Sequence, residues 1–180
     1  SGLSVLTNLK YFGGSLEDLA LARSTCTLPI LRKDFIIDEY QIYEAKAYGA
    51  DIILLISSIL TRDEIVNLSK KAKELKLEVL LEVHNRKKNK KGMVECIDII
   101  GVNNRNLKSF ETDLKISENL IDEIPNEFLK ISESGLNNNS SIKKLMKVGY
   151  EGFLIGEKFM ISNNPGKELK KTLKNLTHED

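Results

Sequence analysis

Five short apolar runs in this chain stop at side chains that can move a proton or hold an anion. Lys33 follows the run 28–31, Glu82 sits near the end of 79–83, and Asn103 and Arg105 follow 97–102. The turns Ser134-Gly135 and Gly156-Glu157 follow the last two runs, near 128–131 and at 152–155. An unpaired buried ammonium costs several kcal/mol, so Lys33 at the mouth of a core strand needs a carboxylate, an anionic ligand or water. Facing each other across a desolvated opening, Lys33 and Glu82 would tune each other as an acid–base pair. A purely structural ion pair is the competing reading. Glycine in the last two turns would let backbone N–H groups approach phosphate oxygens, and a plain tight turn is the alternative there.

These residues share a mouth only if the elements before them run parallel. The run 3–7 opens the chain as a strand. After Gly13-Gly14, Ser15 and Asp18 form a capping-box pattern for a helix over 16–23. Strand 28–31 leads through Arg32-Lys33-Asp34 to Asp38, which caps a helix over 39–48 that Gly49 should stop. The run 51–56 reads as a strand buried on both faces. Thr61 and Glu64 cap the next helix, Leu60 and Ile65 are placed as its staple, and Ile65, Leu68, Ala72 and Leu75 form its stripe.

Beyond strand 79–83 lies the basic stretch 85–92, with Arg86, Lys87, Lys88, Lys90 and Lys91. No aromatic residue interleaves with these charges, so a solvated loop or frayed helix is expected rather than a nucleic-acid patch. Strand 97–102, a helix over 114–124 closed by Pro125, strand 128–131 and a helix over 141–148 ended by Gly149 follow. The last strand is 152–155, and Asn164-Pro165 starts a terminal helix with Leu169, Leu173 and Leu176 as its stripe.

Seven strand-then-helix units indicate an α/β fold with a parallel sheet. An open dinucleotide-binding sheet should carry a GxGxxG or P-loop, and neither occurs. Polar residues after nearly every strand favour instead a (β/α)8 TIM barrel, one unit short. A single domain over 1–180, incomplete at its N-terminus, is expected.

The 180 residues suffice for one full core, and 41% hydrophobic and 29% charged residues are ordinary for a soluble globular protein. A net charge of +1 gives no reason to expect nucleic acid or a membrane surface as partner. No apolar run reaches the roughly 18–20 residues of a membrane span, and no secretory signal opens the chain. Cys26 and Cys96 have no CxxC or metal-ligand companion and read as reduced structural thiols in a cytoplasmic protein. With His84 and His178 as the only histidines, no metal site is expected.

The stretch Leu31-Arg32-Lys33-Asp34-Phe35-Ile36-Ile37-Asp38-Glu39-Tyr40-Gln41-Ile42-Tyr43-Glu44-Ala45 closely resembles the signature of the indole-3-glycerol-phosphate synthase family. Ser4-Val5-Leu6-Thr7 with Lys10-Tyr11-Phe12, Glu82-Val83-His84, Gly101-Val102-Asn103-Asn104-Arg105-Asn106-Leu107 and Ser132-Glu133-Ser134-Gly135 resemble it too, in the family's order and spacing. The resemblance implies a (β/α)8 barrel of tryptophan biosynthesis. It would convert 1-(2-carboxyphenylamino)-1-deoxyribulose 5-phosphate to indole-3-glycerol phosphate, releasing carbon dioxide and water, with no metal or organic cofactor.

By that resemblance the catalytic candidates are Lys33, Glu82, Asn103 and Ser134. Lys33 is the expected general acid at the substrate carbonyl, and Glu82 the carboxylate assisting the later dehydration. Asn103 and Arg105 would hold the substrate, and Ser134, Gly135, Gly156 and Glu157 would bind substrate and phosphate. Phe12, Phe35, Leu54 and Leu107 would line the pocket for the aromatic ring, with plain core packing as the competing reading.

The family also has a leading helix and a first strand bearing a glutamate and a lysine near a Ser-Pro-Ser motif, which nothing here matches. These residues alone are therefore expected to show little or no turnover and to self-associate through an incomplete barrel edge. The segment 85–92, where the family usually has a regular acidic helix, is the second departure. Two other readings stand beside the enzyme: a non-catalytic phosphometabolite-binding barrel fragment, and a related barrel such as phosphoribosylanthranilate isomerase. The Lys33 signature argues against the isomerase, which does not need that lysine.

Overall fold

The structure, a computed structural model, describes residues 2–85, 95–107 and 109–177. The basic residues from Arg86 to Lys91 and His178 lie outside the described residues, so the expectation of a loop or frayed helix there has no structural counterpart. The chain forms two compact units, Ser1–Ile100 and Gly101–Asp180.

The first unit runs β1 (Leu3–Leu6), α1 (Leu9–Phe12), α2 (Leu16–Thr25), β2 (Ile30–Lys33), α3 (Glu39–Ala47), β3 (Ile52–Ile56), α4 (Arg62–Glu74) and β4 (Glu78–Val83). Strand β5 (Ile99–Asn103) carries the chain into the second unit. There it continues as α5 (Lys115–Leu120), a 3-10 turn (Ile121–Glu123), β6 (Leu129–Glu133), α6 (Asn139–Lys147), β7 (Gly152–Leu154), α7 (Glu157–Met160) and α8 (Pro165–Thr177). Strand order is chain order, and β1 with β2, β2 with β3, β3 with β4, and β6 with β7 pair in parallel. The chain leaving β5 lies beside β6, with the Asn104 N–H donating to the Glu133 carbonyl at 2.9 Å.

Local chemistry explains most of the element ends. Ser15 with Asp18, Asp38 with Gln41 and Thr61 with Glu64 form complete capping boxes, each satisfying N–H groups that a helix start leaves open. Leu60 and Ile65 are both buried, as their staple positions require. Gly49 ends α3 at φ +92°, where a Cβ would also meet the Arg23 side chain at 2.6 Å, so only glycine fits.

Register decides which side chains face which way. Val5, Arg32, Ile53 and Val79 are level across β1 to β4. Arg32 on this face donates to the Gln41 carbonyl and to Glu44 of α3, so it is the helix-covered face. Lys33, the next residue, turns to the opposite face, level with Leu6. Continuing the register brings Lys33 level with Leu54 and Leu80, and Glu82 lies two residues further on the same face.

The structure corrects several expected boundaries. Strand β6 runs two residues beyond the expected 128–131, taking in Ser132 and ending at Glu133, both buried. The expected helix over 114–124 breaks into α5 and a 3-10 turn. Helix α6 starts two residues early, because the Asn138 side chain accepts the Ser141 N–H at 2.8 Å. The stripe of α8 is half exposed, with Leu169 and Leu173 open to solvent.

Candidate active site

In the first unit the sheet face opposite the helices brings Lys33 and Glu82 together. Lys33 Nζ lies 3.3 Å from Glu82 Oε2, and the two side chains are 18% and 4% exposed. The expected pair therefore exists, at the carboxyl ends of β2 and β4. His84, two residues past Glu82 and on the same face, places Nε2 3.3 Å from Glu82 Oε1. One buried carboxylate is thus flanked by an ammonium on one oxygen and an imidazole on the other. The sequence reading weighs His84 only as a metal ligand. Its i, i+2 spacing from Glu82 at a strand end is the signal that could have found it.

An aromatic shelf stands on the segments that follow β1 and β2. Phe12 stacks on Phe35 with ring centroids 5.6 Å apart and planes 15° apart, and Tyr11 meets Phe35 edge-on at 5.3 Å. Phe12 and Tyr11 are exposed, so this is no core packing, whereas Leu54 is fully buried in β3. Asn8, Tyr11, Phe35, Ile37, Asp38, Gln41 and Ile59 line an open groove of about 700 Å³. Of the residues expected around the aromatic ring, Phe35 alone lines that groove.

A buried polar cluster anchors the shelf and Lys33. Arg32, 3% exposed, donates to Thr7 Oγ1, Asp34 and Glu44. Asp34 accepts from Thr7 Oγ1 at 2.7 Å, Asn8 Nδ2 at 2.9 Å and the Phe35 N–H at 2.8 Å. Burial alone pushes the Asp34 carboxyl up. Hydrogen bonds from Thr7, Asn8 and Phe35, with the Arg32 charge, outweigh it and hold the group below its ordinary value.

The second unit gathers the other candidates around the ends of β5, β6 and β7. Asn103, buried as the last residue of β5, accepts the Arg105 N–H on its side-chain oxygen at 2.9 Å. The Arg105 guanidinium donates to the Phe110 carbonyl at 3.1 Å and to Glu157 at 2.8 Å. The Glu157 carboxylate is therefore occupied by Arg105, and only its backbone faces the task expected of it. Leu107 is exposed.

Ser134 and Gly135 both take left-handed backbone, at φ +69° and +73°. For a serine this conformation costs about 1–2 kcal/mol and persists where its surroundings enforce it. Asn104 does the enforcing. Fully buried, it donates from Nδ2 to the Ser134 carbonyl at 3.1 Å and to Ser132 Oγ at 3.0 Å, and it accepts from Ser117 on Oδ1. Sequence reasoning misses Asn104 because its role appears only once β5 and β6 are neighbours. At Gly156 an added Cβ would meet nothing within 4 Å, so no packing within the protein calls for glycine there. Among the described residues no cluster of three or more His, Cys, Asp or Glu could hold a metal, and no helix is long and apolar enough to cross a membrane.

Comparison with known proteins decides the family. A family model described as indole-3-glycerol phosphate synthase matches residues 1–172. A curated indole-3-glycerol phosphate synthase from Bacteroides thetaiotaomicron is 47% identical over 178 residues, covering 97% of this chain and 66% of its own length. The chain belongs to the indole-3-glycerol phosphate synthase family. Synthases from Campylobacter jejuni and Koribacter versatilis are 46% and 45% identical, with 67% and 66% of their lengths covered, so this chain spans about two thirds of such relatives.

Solved structures extend the likeness at the level of fold. A 3-hexulose-6-phosphate synthase from Salmonella typhimurium superposes with a TM-score of 0.79 at 12% identity, over 96% of this chain and 85% of its own. KGPDC from Streptococcus mutans gives 0.71 at 17% identity, over 97% and 86%. The fold class is the (β/α)8 barrel, and among the described residues the chain carries seven of its strands.

Proposed function

We propose that this chain carries the catalytic strand ends of an indole-3-glycerol-phosphate synthase, a carbon–carbon lyase of tryptophan biosynthesis. Its substrate is 1-(2-carboxyphenylamino)-1-deoxyribulose 5-phosphate, and its products are indole-3-glycerol phosphate, carbon dioxide and water. The observation that carries the reading is the Lys33–Glu82 pair at 3.3 Å, set at two strand ends of a chain 47% identical to a named synthase.

In this reading the Lys33 ammonium donates to the ketone oxygen of the substrate, which makes the carbonyl carbon electrophilic toward the aromatic ring. Ring closure at the carboxylated carbon is followed by loss of carbon dioxide, which restores aromaticity. Glu82, paired with Lys33, then assists proton transfer as the hydroxyl leaves as water. Asn103 and Arg105 hold the substrate, Arg105 exchanging Glu157 for a substrate anion. Ser134, Gly135, Gly156 and the Glu157 backbone cradle the phosphate, and the left-handed Ser134-Gly135 turn and the open space at Gly156 support that role. Phe12, Phe35, Leu54 and Leu107 serve the aryl ring. The cytoplasm is the expected compartment, and residues 1–180 are read as one domain.

A chimera tests this. The chain is placed in the Bacteroides thetaiotaomicron synthase in place of the matching 178 residues, and the product is expressed in a tryptophan auxotroph lacking that enzyme. Growth without tryptophan, with indoleglycerol phosphate formed in vitro, is expected. A folded chimera that binds the substrate but forms no product would favour a non-catalytic binder instead.

A further inference from the structure

Helix α1 is four residues long and buries none of its side chains. So short a helix does not hold itself in water, because its first turn fixes about six backbone angles for one hydrogen bond. Its two rings nevertheless stand at set angles to Phe35, Phe12 stacked at 5.6 Å and Tyr11 edge-on at 5.3 Å. Contacts outside the turn must fix its tilt.

The flanks of the turn are pinned. Before it, the Thr7 N–H donates to the Lys33 carbonyl at 3.3 Å and Thr7 Oγ1 to Asp34 at 2.7 Å. After it, Gly14 lies so close to Leu6 that an added Cβ would come within 2.0 Å of the Leu6 carbonyl oxygen. Between these points, among the described residues, one side-chain hydrogen bond ties 8–13 to the rest of the chain. It runs from Asn8 Nδ2 to Asp34 Oδ1 at 2.9 Å. The oxygen of the same amide accepts the Tyr11 N–H at 3.1 Å and so starts the turn. Asp34 Oδ1 also accepts the Phe35 N–H at 2.8 Å, while Thr7 and Arg32 hold the other carboxylate oxygen. Both sides of the ring shelf thus hang on one oxygen atom, Phe35 directly and the α1 rings through Asn8.

We propose that Asn8 is a positioning residue for the aryl end of the substrate. Its amide sets the turn that carries Tyr11 and Phe12 against Phe35, and the rings in turn set the affinity for the aromatic group. The consequence for the substrate rests on the reading of Phe12 and Phe35 as aryl-ring residues of a synthase; the tie between the rings does not. A plain N-cap uses only the amide oxygen, and serine serves as well there. The donor half of the amide is what a cap leaves idle. Serine, one atom shorter, keeps the cap and gives up the reach to Asp34.

The test uses the chimera with the Bacteroides thetaiotaomicron synthase. Asn8→Ala removes both cap and tie, and Asn8→Ser removes the tie alone. Because α1 buries nothing, both variants keep the core intact. Nuclear Overhauser contacts between the Phe12 and Phe35 rings, assigned with Phe12→Leu, read the shelf without turnover and are expected to weaken in both. Steady-state kinetics should show KM raised by about three- to tenfold in both, with kcat changed by less than about twofold. Inhibition by 2-aminobenzoate, a probe for the aryl end, should weaken by the same factor, and inhibition by inorganic phosphate should not. A general loosening of the fold would weaken both inhibitors and contradict the proposal.

Ring contacts preserved in both variants, or a KM restored by Asn8→Ser, would overturn it. The first outcome would leave the rings holding the turn unaided, and the second would reduce Asn8 to a helix cap. A chimera without turnover would sink the synthase reading, while the ring contacts would still decide what Asn8 does.

Discussion

At the scale of residues, alternation along β2 separates two tasks. Arg32 points to the helix layer and builds a satisfied ionic cluster with Asp34, Glu44 and Thr7, while Lys33 points to the opposite face and meets Glu82. The cluster makes a stability prediction with a definite sign. The Asp34 carboxyl is lowered in the folded state, so its contribution is present above the ordinary carboxylate range. It is lost as pH falls through that range and through the lowered folded value. Asp34→Asn should cost about 2–3 kcal/mol at neutral pH, because it removes one of the two carboxylates that balance the buried Arg32 charge and leaves Glu44 alone to do so. Its stability should also fall less steeply on acidification than the parent's. Urea melts followed by circular dichroism from pH 7 to pH 3 check both parts.

Asn104 makes a second prediction at the element scale, where it joins β5 to β6 and holds the turn beyond. Asn104→Ala should cost roughly 3 kcal/mol, since it strips partners from Ser117, Ser132 and the Ser134 carbonyl at once. It should also loosen the Ser134-Gly135 turn, visible as faster amide exchange at Gly135 with the rest of the sheet unchanged. Tyr150, whose hydroxyl donates to the Ser117 carbonyl at 2.9 Å and whose ionisation burial pushes up to about 12, braces the same cluster. Tyr150→Phe removes one hydrogen bond and should cost about 1 kcal/mol in the same melts.

The elements themselves are largely legible without coordinates. Ser15/Asp18 and Thr61/Glu64 announce helix starts by side-chain chemistry that acts within four residues, and Gly49 announces a stop by a conformation only glycine takes easily. What stays hidden depends on neighbours far along the chain. Ser134 shows no sign in the sequence of its left-handed backbone, because Asn104, thirty positions earlier, imposes it. Ser132 looks like a mouth residue by polarity, yet it lies inside β6, where Asn104 and Ser117 satisfy it.

At the scale of the whole molecule, the family, the parallel sheet and the strand-end chemistry agree. Among the described residues, β1 pairs with β2 and exposes Leu3 and Leu6 at 40% and 39%. Such an apolar strand is a template for pairing with another chain. We expect the isolated chain to self-associate, and Leu3→Lys with Leu6→Lys to shift it toward monomer in sedimentation velocity runs. An unchanged distribution would place the contact elsewhere.

The central claim is that Lys33 performs chemistry while Arg105 holds the substrate. In the chimera with the Bacteroides thetaiotaomicron synthase, steady-state kinetics of indoleglycerol phosphate formation separate the two. Lys33→Ala should lower kcat by about 10²–10⁴-fold with little change in KM, and Arg105→Ala should act mainly by raising KM. A Lys33→Ala chimera that keeps its kcat would contradict the account.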